Sequence, residues 1–138
     1  MKKILDHQIW TTHALLLARI LMGALFVISG VQKLQGIEGL AGYIASAGFP
    51  ASIALAWLVA IFEIVAGAAI IVGIYFKEAT LLLALFVLFI SFPFHGPSLW
   101  ANDPMQQAMF LKNMAIAAGL LFMAAHGSGN TWKLKLGK

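Results

Sequence analysis

Arg19, Glu63, Lys112 and Asn113 each sit inside a long apolar stretch of this 138-residue chain, where a polar side chain is hard to accommodate. A charge at the centre of a membrane helix costs at least about 2.5–3.5 kcal/mol, so it needs a partner or a watery cavity. Two cations against one carboxylate leave excess positive charge in a low dielectric. Such an excess attracts an anion, a quinone carbonyl or a proton-relay partner. The plainer reading is an Arg19–Glu63 salt bridge that fixes helix register, with Lys112 and Asn113 as accessory donors. Lys112 has a further course open to it, snorkelling toward the nearer interface. The residues alone leave these readings open.

The elements that carry these residues follow from composition. The chain is 62% hydrophobic and 10% charged, against about 25% charged in soluble domains, which places it in a membrane. That balance excludes a disordered chain, a nucleic-acid-binding arm and an ordinary cytosolic enzyme. There is no cysteine, so disulfides, thiolate metal sites and thiol chemistry within the chain are excluded. A spanning helix needs about 20 apolar residues. Four stretches qualify, at about residues 10–31, 52–75, 79–95 and 104–125. The expectation is an all-α, four-transmembrane-helix bundle forming a single domain over residues 1–138.

Helical rise gives a first estimate of depth. Arg19 lies about 13 Å from the start of the first span, Lys112 about 12 Å from the start of the fourth, and Glu63 near the middle of the second. All three are expected near one plane, as a shared cluster. Each also lies on a stripe of small residues: Arg19, Gly23, Phe26, Gly30 and Lys33; Ala56, Ala60, Glu63 and Gly67; Ala108, Lys112, Ala115 and Gly119. Small residues let membrane helices approach closely, so the three faces are expected to point toward one another.

Turn chemistry supports the boundaries. Asn102-Asp103-Pro104 offers an N-cap and a Pro at the first helical position. Gly127-Ser128-Gly129-Asn130 ends the fourth span, and Pro93 with Gly96-Pro97 breaks the third. Phe76-Lys77-Glu78 is expected as the tight loop between spans two and three. In the first loop Leu40, Tyr43, Ile44 and Ala47 fall at helical spacing, which predicts a short amphipathic helix on the outer surface. One side of the membrane collects Lys2, Lys3, Lys77, Lys133, Lys135 and Lys138, and the other only Lys33. That bias places both termini in the cytoplasm. The first apolar run is too long for a signal peptide and contains Arg19.

Other candidates carry less. His95 ends span three and is an interfacial hydrogen-bonding residue or an entrance to the cluster. A bis-His haem needs two His facing each other across the bundle; His13 and His126 share a side, but nothing in their spacing singles them out, His7 lies in the N-terminal tail, and no His and carboxylate cluster suggests a metal. Trp10, Trp57, Trp100 and Trp132 form an aromatic belt. Phe86, Phe89, Phe92 and Phe94 read as lipid-facing or core residues. Phe26, on the charged stripe, would border any cavity near Arg19.

Taken in order, Arg19-xxx-Gly23-xx-Phe26-xxx-Gly30-xx-Lys33-Leu34, Gly48-Phe49-Pro50, Glu63-xxx-Gly67, Gly73, His95 and Lys112-Asn113 resemble the DoxX family of small four-helix bacterial membrane proteins. The resemblance covers nearly the whole chain. It implies a multi-pass protein of the bacterial inner membrane and a polar cluster of Arg19, Glu63, Lys112 and Asn113. Lys33, His95 and Phe26 stand as entrance residues. Relatives include a subunit of a thiosulfate:quinone oxidoreductase, and some associate with redox or oxidative-stress partners. The expected role is an accessory or quinone/anion-binding subunit, not catalytic alone, with the lipid bilayer, membrane redox proteins and a second copy as candidate partners. Quinone is the one cofactor suggested. The alternatives are a small-solute (anion) transporter and a purely structural assembly protein.

Overall fold

The computed structural model describes residues 7–129. Lys2, Lys3, Trp132, Lys133, Lys135 and Lys138, which carry much of the orientation bias and the aromatic belt, lie outside them. The described residues form five α-helices: α1 (His7–Gln35), α2 (Ile37–Ser46), α3 (Ser52–Val72), α4 (Phe76–His95) and α5 (Pro104–His126), with a 3-10 turn at Pro97–Leu99. Four of these are long and apolar enough to cross a membrane. Leu21, Leu58, Val65, Phe89 and Phe122 are exposed, as side chains facing lipid must be.

The packing divides the bundle into two tight pairs, α1 with α3 and α4 with α5, joined mainly along the α3–α4 side. Glycine sets the first pair. Gly23 lies against Gly67 and Ile71, and Gly30 against Ala60 and Ile64. The numbers rise on one helix as they fall on the other, so the pair is antiparallel. A Cβ added at Gly23 would come within 2.6 Å of the Gly67 carbonyl oxygen, and one at Gly30 within 2.7 Å of that of Ala60. These backbones touch because nothing stands between them. A second apolar cluster, built on Phe76, Leu83, Val87, Leu120 and Met123 with Phe26 and Ile70, joins the pairs.

Several boundaries move from their expected places. Phe76-Lys77-Glu78 is the first turn of α4, where Glu78 favours the positive end of the helix. The actual connection is Gly73–Tyr75, with Gly73 in the left-handed region at φ 77° stopping α3. Pro93 lies inside α4, which continues to His95. Asp103 caps α5 as expected, its carboxylate accepting from the Met105 amide at 3.0 Å. The first-loop helix exists as α2, but it packs inward. Ala41 and Ile44 bury against Ala56, with Phe49 and Phe94 alongside, so α2 covers one end of the bundle. Buried hydroxyls find partners within their own helix, Thr80 on Phe76 O and Ser91 on Val87 O.

Candidate functional site

Gly30 brings α1 against Ala60 and Ile64, and Glu63 lies between those two positions on the same helix. From the last turn of α1, Lys33 reaches across. Its ammonium donates to Glu63 Oε2 at 2.8 Å and to Ser29 Oγ one turn below. Glu63 is almost wholly buried and Lys33 about one quarter exposed. The carboxylate therefore has its counter-ion, and the ammonium keeps one hydrogen beyond these two bonds.

This ion pair lines a cavity of about 490 Å³. Phe26, Phe86 and Phe94 form apolar walls, while Lys112, Asn113 and His95 add polar groups. The size and the mixture, mostly apolar with a few convergent polar atoms, suit a small organic ligand. Lys33 and Glu63 cancel in charge, so Lys112 leaves the lining with one excess positive charge. Lys112 Nζ has Met109 Sδ at 3.1 Å, a weak acceptor for an ammonium near the middle of a spanning helix. Asn113 and Gln32 make no side-chain hydrogen bond among the described residues.

At the far side of the cavity, His95 is held from three directions. Its Nδ1 is 2.7 Å from Gln106 Oε1, its carbonyl accepts from Trp100 Nε1 at 2.8 Å, and the preceding carbonyl, Phe94 O, accepts from Tyr43. Partial burial holds the Tyr43 phenol above its ordinary range, which keeps it a hydrogen donor.

Arg19 is elsewhere. Its guanidinium is 1% exposed and donates to Ile71 O at 2.7 Å, and to Ile70 O and Ser128 O at 3.3 Å. Ile70 and Ile71 belong to the last turn of α3, whose carbonyls have no partner further along the helix. The glycine register explains the separation. Glu63 faces the part of α1 near Ser29 and Gly30, about ten residues or 15 Å from Arg19. The expected single plane therefore fails, because α1 runs roughly a dozen residues past the end of α3 and depth counted from each span's own start is not shared.

Six of the seven expected site residues thus meet in one cavity: Glu63, Lys112, Asn113, Lys33, His95 and Phe26. The partner of Glu63 is Lys33 in place of Arg19, and Phe26 borders the cavity around Glu63. The stripes of α1 and α3 face each other as expected. That of α5 does not: Ala108, Lys112 and Ala115 are exposed, and α5 packs through Ala117, Leu120 and Met123. Ser29, Gln32 and Tyr43 also line the cavity and were missed. Ser29 stands one helical turn before Lys33, and that spacing was the available signal. His13 and His126 bond to carbonyls of their own helices, Ile9 O and Phe122 O.

No curated protein and no solved structure gives a significant match to the chain. A model of the DoxX family matches residues 14–96, which take in Arg19, Lys33, Glu63 and His95 and stop short of α5. That match extends over more than half of the sequence, and the chain belongs to the DoxX family.

Proposed function

We propose that this DoxX protein is an accessory subunit of a membrane redox system, holding a quinone-type ring while partner proteins supply and remove electrons. The observation that carries this reading is the cavity that gathers Lys33, Glu63, His95, Lys112 and Asn113 among aromatic walls. Ring carbonyls accept hydrogen bonds from an ammonium or a carboxamide, and a planar ring packs on phenylalanine. The position of the opening supports a ligand dissolved in the bilayer. Leu25 and Ile28 on α1 and Lys112 on α5 are exposed, and all three line the cavity. Closer to the Arg19 end, α1 and α5 converge where Met22 meets Gly119. A gap between those helices faces lipid tails, the phase in which a quinone travels.

In this reading the protein sits in the bacterial inner membrane with both termini in the cytoplasm, following the lysine bias. The cavity then lies toward the outer leaflet and the Arg19 end toward the cytoplasm. Mass spectrometry of protein extracted in mild detergent tests the proposal. Quinone is expected to copurify near one per chain, and to be lost from Lys112→Leu. Reproducible absence of quinone from the wild type refutes it.

A structural role is the competing reading, favoured by the direct bridge that Lys33–Glu63 makes between α1 and α3. It predicts that Lys33→Met and Glu63→Gln change melting temperature alone. Anion transport, the third reading, predicts flux into liposomes that Lys112→Ala abolishes.

A further inference from the structure

The hydrogen-bond chain that reaches His95 from outside the cavity has a fixed direction. It begins at Asp103, the N-cap of α5. Oδ1 accepts from the Met105 amide and Oδ2 from Gln106 Nε2, each at 3.0 Å. A carboxylate only accepts, so the amide of Gln106 must turn its NH2 toward Asp103. Its carbonyl oxygen then faces His95 Nδ1 at 2.7 Å, and a carbonyl also only accepts. The hydrogen of a neutral His95 ring is therefore on Nδ1, which leaves Nε2 as a bare acceptor. The bonds to Trp100 and Tyr43 hold the backbone that carries the ring. His95 lines the cavity, and Nε2 has no partner among the described residues.

The other free polar groups around the cavity include donors: the ammonium of Lys112, the third hydrogen of Lys33 and the NH2 of Asn113. A ligand that satisfies the whole lining must accept on one side and donate on the other. A quinone has two carbonyls and can only accept, so opposite Nε2 it sets lone pair against lone pair. The quinol has two hydroxyls, each of which can donate or accept.

We propose that Asp103 and Gln106 set the tautomer of His95 so that the cavity selects the reduced, hydroxyl-bearing form of a quinone-type ring. His95 is the residue that touches the ligand hydroxyl, and Gln106 and Asp103 are positioning residues that act through it. This rests on the reading of the cavity as a quinone site and adds which redox form it prefers.

The test is a pair of dissociation constants for a short-chain ubiquinone and its quinol, measured under argon on the full chain in the same detergent. One added hydrogen bond corresponds to quinol binding about five- to tenfold tighter. His95→Phe is expected to bring that ratio close to one. Gln106→Leu, which frees the ring to exchange tautomers, is expected to remove most of the preference with His95 still present. It also supplies the answer if His95→Phe does not fold. Equal binding of both forms by the wild type, or a preference for the quinone, overturns the proposal. So does a quinol preference that survives both substitutions. Failure of both forms to bind removes the quinone reading and this proposal together, whereas equal binding removes the proposal alone.

Discussion

The two ends of α1 place a cation in the protein in opposite ways. Arg19 is buried, and among its hydrogen bonds are three to backbone carbonyls of α3 and of the segment after α5, dipoles that belong to the fold. Lys33 is paired with a side chain at the wall of a cavity and keeps a hydrogen to spare. A buried charge satisfied by carbonyls acts as a helix cap. One satisfied by a carboxylate beside open space can rearrange toward a ligand. Burial and bonding differ together: Arg19 is almost wholly buried, whereas Lys33 is about one quarter exposed beside its carboxylate.

Substitutions can break this contrast, and the largest effect is expected where neither end is involved. Gly23→Leu forces side-chain atoms into the Gly67 carbonyl and Ile71, and the α1–α3 pair cannot close. Overpacking of this kind costs about 3 kcal/mol or more, and the purified protein should lose its cooperative thermal transition. Arg19→Met strips the partners from Ile70 and Ile71 carbonyls in a buried place. A loss of about 2–3 kcal/mol is expected by thermal unfolding, with quinone affinity in the surviving folded fraction unchanged. A parallel loss of affinity would erase the distinction between the ends. Lys33→Met leaves Glu63 buried and unpaired, at about 2 kcal/mol, since the pair is partly open to the cavity. Lys33→Met with Glu63→Met should recover most of that stability while ligand remains unbound, which separates packing from binding. Lys112→Leu is expected to leave the melting temperature within a degree or two or raise it slightly. It removes a mid-span charge whose one hydrogen-bond partner among the described residues is a thioether, and quinone affinity should fall about tenfold.

Much of the architecture could be read from the chain. Apolar run length gave four spans, and Asp103-Pro104 and Gly127 marked the ends of α5. The inward faces of α1 and α3 followed from small residues at spacings of three and four. The site was legible as a set of residues and illegible as a set of pairs. Depth was counted from the start of each span, as if the helices were equal in length and flush at their ends. At 29 residues α1 is about 43 Å long, well beyond the hydrocarbon thickness of about 30 Å, and its overhang displaces Arg19 from Glu63. The glycines held the missing information. Aligning Gly23 with Gly67 and Gly30 with Ala60 in an antiparallel pair puts Glu63 within a lysine's length of Lys33. Tyr43 and Gln106 depend on how α2 folds over the bundle and how α4 meets α5, which are properties of tertiary packing with no local signal.

The close seam between α1 and α3 has a mechanical consequence. Backbones in contact at Gly23, Gly30 and Gly67 cannot slide or separate by small steps, so the pair behaves as one stiff blade. The packed α4–α5 pair is a second blade, and the α3–α4 side is the joint between them. The cavity lies between the two blades, lined from α1 and α3 on one side and from α4 and α5 on the other, so its width is fixed by how the joint holds them.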